Sequence, residues 1–327
     1  MPLEESPFRP AWWLPGPHAQ TLWPHFFRRP PRVATTPERL ELDDGDFIDL
    51  AHGPGPAGAP RVLLLHGLEG SLDSQYARGM MATLARYGLR SVFMHWRGCS
   101  GEPNRLARSY HSGATDDIAR VAAHLRDTEP ATPLAAIGWS LGGNALLKWL
   151  GETGAASPLT AAAAISAPFR LERAAARMGR GFSRLYQWRL VADLRASLEA
   201  KRRLRGLDLP RPPRGGFRAF DDAVTAPLHG FRDANDYYAR ASSRPWLDRI
   251  AVPTRILHAR DDPFMDPGAI PQARELAPAV ILELAHRGGH VGFVEGALPG
   301  RAGYYAERRI PAWLAGELSG KTPPARR

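Results

Sequence analysis

Cysteine is almost missing from this chain of 327 residues, with Cys99 the only one. A single thiol excludes an intramolecular disulfide and any zinc site built on cysteines. No run reaches the roughly 18 to 20 uninterrupted apolar residues that a membrane-spanning helix requires. The start, Met1-Pro2-Leu3-Glu4-Glu5-Ser6, has neither the basic opening nor the apolar centre of a secretory signal, so the expected compartment is the cytoplasm. The eleven histidines never fall in HExxH or a comparable ligand spacing, and no metal site is expected. Internal repeats and long low-complexity tracts are missing as well.

What is present is ordinary for a globular chain: 44% hydrophobic and 23% charged residues, with enough length to bury a large core. The charge is unbalanced, 43 basic against 33 acidic side chains, for a net +10. Such a surface attracts nucleic acid, anionic headgroups or acidic substrates. Much of the excess lies between Arg170 and Arg218, without a nucleic-acid-reading motif or interleaved aromatics, and reads as a solvated arginine-rich surface. Nucleic acid is therefore not an expected partner. Peripheral contact with an anionic membrane stays open.

Residues 1–36 are rich in Trp, Pro and other aromatics, and the prolines of Pro10-Ala11-Trp12-Trp13-Leu14-Pro15-Gly16 break any helix there, which predicts an irregular arm packed on the body. A hairpin follows over Arg39–Asp46 and Phe47–Ala51. Then Arg61–Gly67, Arg90–Trp96, Pro133–Gly138 and residues 160–166 read as strands buried on both faces. Helices are expected between them at Gln75–Tyr87, Thr115–Arg126 and Leu141–Leu150. The rhythm breaks at Pro168, and residues 169–248 read as an inserted helical cap. It resumes with a strand at Pro253–Ala259, a helix near Pro271–Leu276, a strand at Ala279–Leu284 and a closing helix at Arg308–Leu318. Residues 319–327 read as a disordered tail. Strand-helix alternation of this kind predicts an α/β fold with a mainly parallel, doubly wound sheet. Its core would comprise residues 37–168 and 249–318.

Gly138-Trp139-Ser140-Leu141-Gly142 matches G-x-S-x-G at a strand-to-helix junction. A serine on so tight a turn is strained, and flanking side chains two residues away would collide unless nearly absent, which glycine at 138 and 142 satisfies. A hydroxyl nucleophile needs a base. His290, in Arg287-Gly288-Gly289-His290-Val291-Gly292-Phe293, follows the last strand in a loop whose small residues suggest flexibility; His286 is the rival. The acid belongs at the end of the preceding strand, in Ala259-Arg260-Asp261-Asp262-Pro263. Asp262, three residues past the small Ala259, is preferred to Asp261. The order Ser140, Asp262, His290 is the chain order of α/β-hydrolases among triad folds. For the oxyanion, the backbone N–H groups of Leu68, in His66-Gly67-Leu68-Glu69-Gly70, and of Leu141 are the expected donors.

With these segments, the Pro17-His18-Ala19-Gln20-Thr21-Leu22 stretch, Arg97-Gly98-Cys99-Ser100-Gly101-Glu102-Pro103-Asn104, Tyr110-His111-Ser112-Gly113, Phe220-Asp221-Asp222 and Asp236-Tyr237-Tyr238, the chain resembles the YheT-like α/β-hydrolases. These are related to membrane-anchored abhydrolase-domain lipid hydrolases of animals, whose hydrophobic N-terminal anchor has no counterpart here. The resemblance implies a triad at Ser140, Asp262 and His290 and hydrolysis of carboxylic esters, short-chain or acylglycerol-type, without a cofactor. The expected partner is a small-molecule ester. Acyl transfer or thioester cleavage on the same triad, or ligand binding without turnover, are the alternatives. Cys99 is expected as a packed thiol, and Tyr110–Gly113 as a candidate pocket wall.

Overall fold

The computed structural model describes residues 2–319, so most of the expected tail, residues 320–327, lies outside the described residues. Its centre is a nine-stranded sheet in the order β1-β9-β8-β7-β6-β4-β5-β3-β2. In chain order the strands are β1 (Leu3–Glu5), β2 (Thr36–Glu41), β3 (Phe47–His52), β4 (Arg61–Leu65), β5 (Arg90–Met94), β6 (Leu134–Trp139), β7 (Ala161–Ile165), β8 (Thr254–Ala259) and β9 (Val280–Ala285). From β1 to β5 across the sheet every pairing is parallel, and the β2–β3 hairpin adds an antiparallel edge.

The central strands β4, β6, β7 and β8 are buried along their whole length, because helices cover both faces and no side chain can alternate outward. Helices α1 (Pro17–Phe27), α2 (Ala77–Arg86), α3 (Thr115–Thr128) and α4 (Leu141–Thr153) precede the helical insertion. The apolar sides of α3 and α4 enter the core on one sheet face, and that of α2 enters on the other. β7 is Ala-Ala-Ala-Ala-Ile, and its small side chains admit α4 closely.

Between β7 and β8 the chain is helical: α5 (Leu171–Met178), α6 (Ser183–Arg205), α7 (Phe217–Phe220), a π-helical turn at Asp221–Thr225, α8 (Ala226–Leu228) and α9 (Ala234–Ala241). A long α10 (Tyr305–Leu318) closes the fold beside α2, after a two-residue hairpin of β10 (Val294–Glu295) and β11 (Gly303–Tyr304). Among the described residues no helix is long and apolar enough to cross a membrane.

Two expectations need correction. Residues 1–36 are not an irregular arm. β1 pairs in parallel with the otherwise open edge of β9, Leu3 opposite Leu282, and thereby joins the core sheet. Pro17 opens α1 at a position where its missing N–H costs nothing, while the prolines at 10 and 15 keep residues 6–16 extended or turned. The helix expected near Pro271–Leu276 shrinks to a single 3₁₀ turn at Ala273–Glu275, bounded by prolines at 271 and 278.

Candidate active site

β4 is the point at which the strand order turns, since β5 lies on one side of it and β6 on the other. In open α/β sheets the crevice beyond the carboxyl ends of such strands is the usual ligand site. The loops after β4, β6, β8 and β9 all end here.

Ser140 joins β6 to α4 with φ 49° and ψ −116°, a strained conformation for a side-chain-bearing residue. The close approach of the first turn of α4 to the ends of β6 and β4 explains the two glycines. A Cβ at Gly138 would overlap the Gly142 backbone, and one at Gly142 would overlap the carbonyls of Leu65 and His66. Ser140 N–H donates to the Ile165 carbonyl at 2.8 Å and so ties the turn to β7.

His290 Nε2 lies 3.0 Å from Ser140 Oγ, and His290 Nδ1 lies 2.8 Å from Asp262 Oδ2. The other carboxylate oxygen of Asp262 accepts the Phe264 N–H at 2.8 Å, so both its oxygens are engaged in a buried position. Asp261 points elsewhere: its Oδ1 accepts the N–H groups of Gly288 and Gly289, at 2.9 and 3.1 Å, and anchors the base of the histidine loop. Burial raises the Asp261 carboxyl above its ordinary range. The rival His286 is exposed at the surface.

The glycines around His290 serve close approach rather than the flexibility expected of them. A Cβ on Gly288 would strike the Phe293 ring, and one on Gly289 or Gly292 would strike α1. Helix α1 supports this loop in a way that sequence reasoning missed. Thr21 Oγ1 accepts the His290 N–H at 2.9 Å while donating to the Pro17 carbonyl at 2.7 Å. Gln20 grips Val294 from both sides, its Nε2 donating to the carbonyl and its Oε1 accepting the N–H. The one available signal was the Pro17–Leu22 motif, to which no role was attached.

The N–H groups of the loop after β4 can be accounted for one by one. Gly67 donates to the Tyr76 hydroxyl, Glu69 to the Tyr110 hydroxyl and Gly70 to the Gly67 carbonyl. That of Leu68 has no acceptor among the described residues, and neither has that of Leu141 at the first turn of α4. Gly67 brings its loop against the serine, with only 3.3 Å between a Cβ built there and that of Ser140. Glu69 holds φ 50°, and its carboxylate accepts from Tyr110 and from Ser197 of α6, linking this loop to the insertion.

A cavity of about 180 Å³ opens at Ser140, walled by Leu68 and Leu141 and by Leu171, Met178, Leu194, Phe220 and Val224 of the insertion. Tyr110, His111 and Ser112 line it as well, and so does Cys99, whose thiol burial pushes well above its usual range. Asp221, pushed up to about 6, and Lys201, pushed down to about 7, both by burial, also line it. Phe264 stacks on the His290 ring at 3.9 Å. Among the described residues no group of three or more His, Cys, Asp or Glu side chains could hold a metal.

A central parallel sheet, a strained serine at its carboxyl edge and a histidine-carboxylate pair beside it define the class. Residues 60–297 match the model of the alpha/beta hydrolase fold family, and the chain belongs to that family. It is 45% identical over 314 residues to YheT of Escherichia coli strain K12, provisionally designated an esterase, across 93% of this chain and 92% of that one. It is 31% identical over 316 residues to phospholipase ABHD3 of Mus musculus, across 93% of this chain and 77% of the relative. Within the family it stands among the ester hydrolases. An esterase of Pyrococcus furiosus superposes with a TM-score of 0.57 over 90% of this chain and 99% of its own, at 14% identity, a likeness of fold alone.

Proposed function

We propose that this chain is a serine hydrolase that cleaves small-molecule carboxylic esters through Ser140, His290 and Asp262. The observation that carries the reading is the continuous series of hydrogen bonds from Ser140 Oγ through both ring nitrogens of His290 to a buried Asp262. In this reading Ser140 Oγ attacks the ester carbonyl carbon as His290 Nε2 takes its proton. Asp262 holds the tautomer with the proton on Nδ1 and stabilises the imidazolium without itself being protonated. The oxyanion of the tetrahedral intermediate takes the free N–H groups of Leu68 and Leu141, and loss of one such donor typically costs about 3 to 4 kcal/mol. His290 returns the proton to the departing alcohol. Water, activated by the same nitrogen, then releases the acid from the acyl-enzyme.

The apolar wall supplied by the insertion favours an acyl group of short to medium length. A cavity of about 180 Å³ is close to the roughly 150 Å³ that accommodates a benzene-sized guest. Labelling with a fluorophosphonate, followed by peptide mapping, tests the assignment. Modification at Ser140 in wild type and none in Ser140→Ala or His290→Ala is expected, with esterase turnover of both variants down by several powers of ten. Unimpaired labelling of His290→Ala would sink the proposal.

A further inference from the structure

We propose that this chain docks on the surface of an anionic phospholipid bilayer. The face is made by residues 9–32 with the β10–β11 hairpin and by the first turns of α6. Nine large hydrophobic side chains are exposed among the described residues, and seven of them lie on these two neighbouring elements. Trp12, Phe26, Phe27 and Leu298 belong to the arm and hairpin, where the Trp12 indole N–H donates to the Ala297 carbonyl. Phe182, Leu185 and Trp188 belong to the entrance of α6, the last of them 71% exposed. The two parts meet at His18, which packs on Phe182 at 4.4 Å and on Tyr186 at 5.8 Å.

Charge selects the partner. From Ser6 to Pro37, and again from Arg173 to Ala192, the sequence contains no Asp or Glu, yet these two stretches hold nine arginines. Arg9, Arg29, Arg32, Arg180 and Arg184 are exposed, and none forms an ion pair among the described residues. Tryptophan and phenylalanine bordered by unpaired guanidinium groups suit the headgroup region. There an indole keeps one edge wet, and arginine meets lipid phosphate. A protein surface able to complement the same face would have to be apolar and acidic together over two separate elements. A bilayer containing anionic lipid has both properties everywhere.

The position also has a use that deepens the ester-cleavage reading on which it rests. The opposite face of α6, through Leu190, Leu194 and Leu198, lines the cavity at Ser140. Tyr186 packs at a tilt against Phe264, which stacks on His290. A helix lying in the headgroup layer on one side and walling the cavity on the other sets the site beside esters held in the membrane.

Sedimentation of the full chain with vesicles tests this. Binding to vesicles of mixed phosphatidylglycerol and phosphatidylcholine is expected, weaker binding to phosphatidylcholine alone, and a decline as salt rises. The double variants Leu185→Ser/Trp188→Ser and Phe26→Ser/Phe27→Ser should each lower the partition at least about tenfold, because two large apolar side chains no longer enter the interface. Turnover of a water-soluble p-nitrophenyl ester should stay at the wild-type level in both, which separates this proposal from the triad assignment. Three results overturn it: no binding to phosphatidylglycerol vesicles, equal binding by wild type and variants, or a dimer in place of vesicle binding that the substitutions dissolve.

Discussion

Replacing Thr21 by valine, a residue of nearly the same shape far from Ser140 in sequence, should damage turnover while leaving substrate affinity intact. The Thr21 hydroxyl is the acceptor for the His290 N–H at 2.9 Å, in a position closed to solvent by α1 and the loop itself. Valine leaves that N–H buried without an acceptor, a cost of about 1 to 3 kcal/mol. The loop can relieve the cost only by shifting toward another acceptor or toward water, and such a shift carries the imidazole away from Ser140 Oγ. A misplacement of about 1 Å at a reacting group is worth roughly 100-fold in rate. The expected result is a kcat reduced about 10- to 100-fold, with KM within about twofold of wild type. Fluorophosphonate inactivation should slow in parallel, because that reaction needs the same proton transfer. Thr21→Ser restores the acceptor and should restore the rate. A valine variant with wild-type kcat, or a serine variant equally impaired, would refute the positioning role.

Two further outcomes follow from the carboxylates. Asp262→Asn removes the group that holds the histidine tautomer and should lower kcat by about four powers of ten. Asp261→Asn keeps the Oδ1 acceptor for Gly288 and Gly289 and should be mild in the same steady-state assay; the reverse ranking would exchange their roles. For Asp221, the folded-state value near 6 stands above the ordinary 3.8, because burial disfavours the charge. The fold therefore holds a proton that the unfolded chain has already released. Its stabilising contribution is complete below pH 3.8 and is lost as pH rises through about 6. Denaturant titrations at pH 4 and pH 7 should show Asp221→Asn gaining on wild type by up to about 3 kcal/mol, and parallel profiles would contradict the burial argument.

The strand-helix alternation was legible because β4, β6 and β7 are almost wholly apolar runs, as expected of strands covered on both sheet faces, while β8 keeps that burial despite Arg255 and His258. β4, β6 and β8 lie within a residue or two of where periodicity puts them. The G-x-S-x-G junction was legible for a related reason. Two backbones approach so closely at positions 138 and 142 that only glycine fits, and a steric requirement of that kind is written in residue type. Over residues 1–36 the proline argument holds for 10–16, which are extended or turned, but it says nothing of the segments on either side. At the first residue of α1 the ring is harmless, and the preceding strand owes its existence to an edge of β9 some 280 residues away in sequence.

Taken alone, the amino-acid sequence determined the main elements of the core, the order in which a hydroxyl, a carboxylate and an imidazole follow three of its strands, and the acid-free arginine stretches. These are local properties, set by side-chain volume, periodicity and charge. The tertiary structure decided which of two adjacent aspartates faces the imidazole and which ties down its loop. It also decided that a helix from the N-terminus supports that loop, and that the arm and α6 form neighbouring parts of one surface. Those outcomes depend on hydrogen-bond angles and on contacts between segments remote along the chain, where a shift of an ångström exchanges one partner for another.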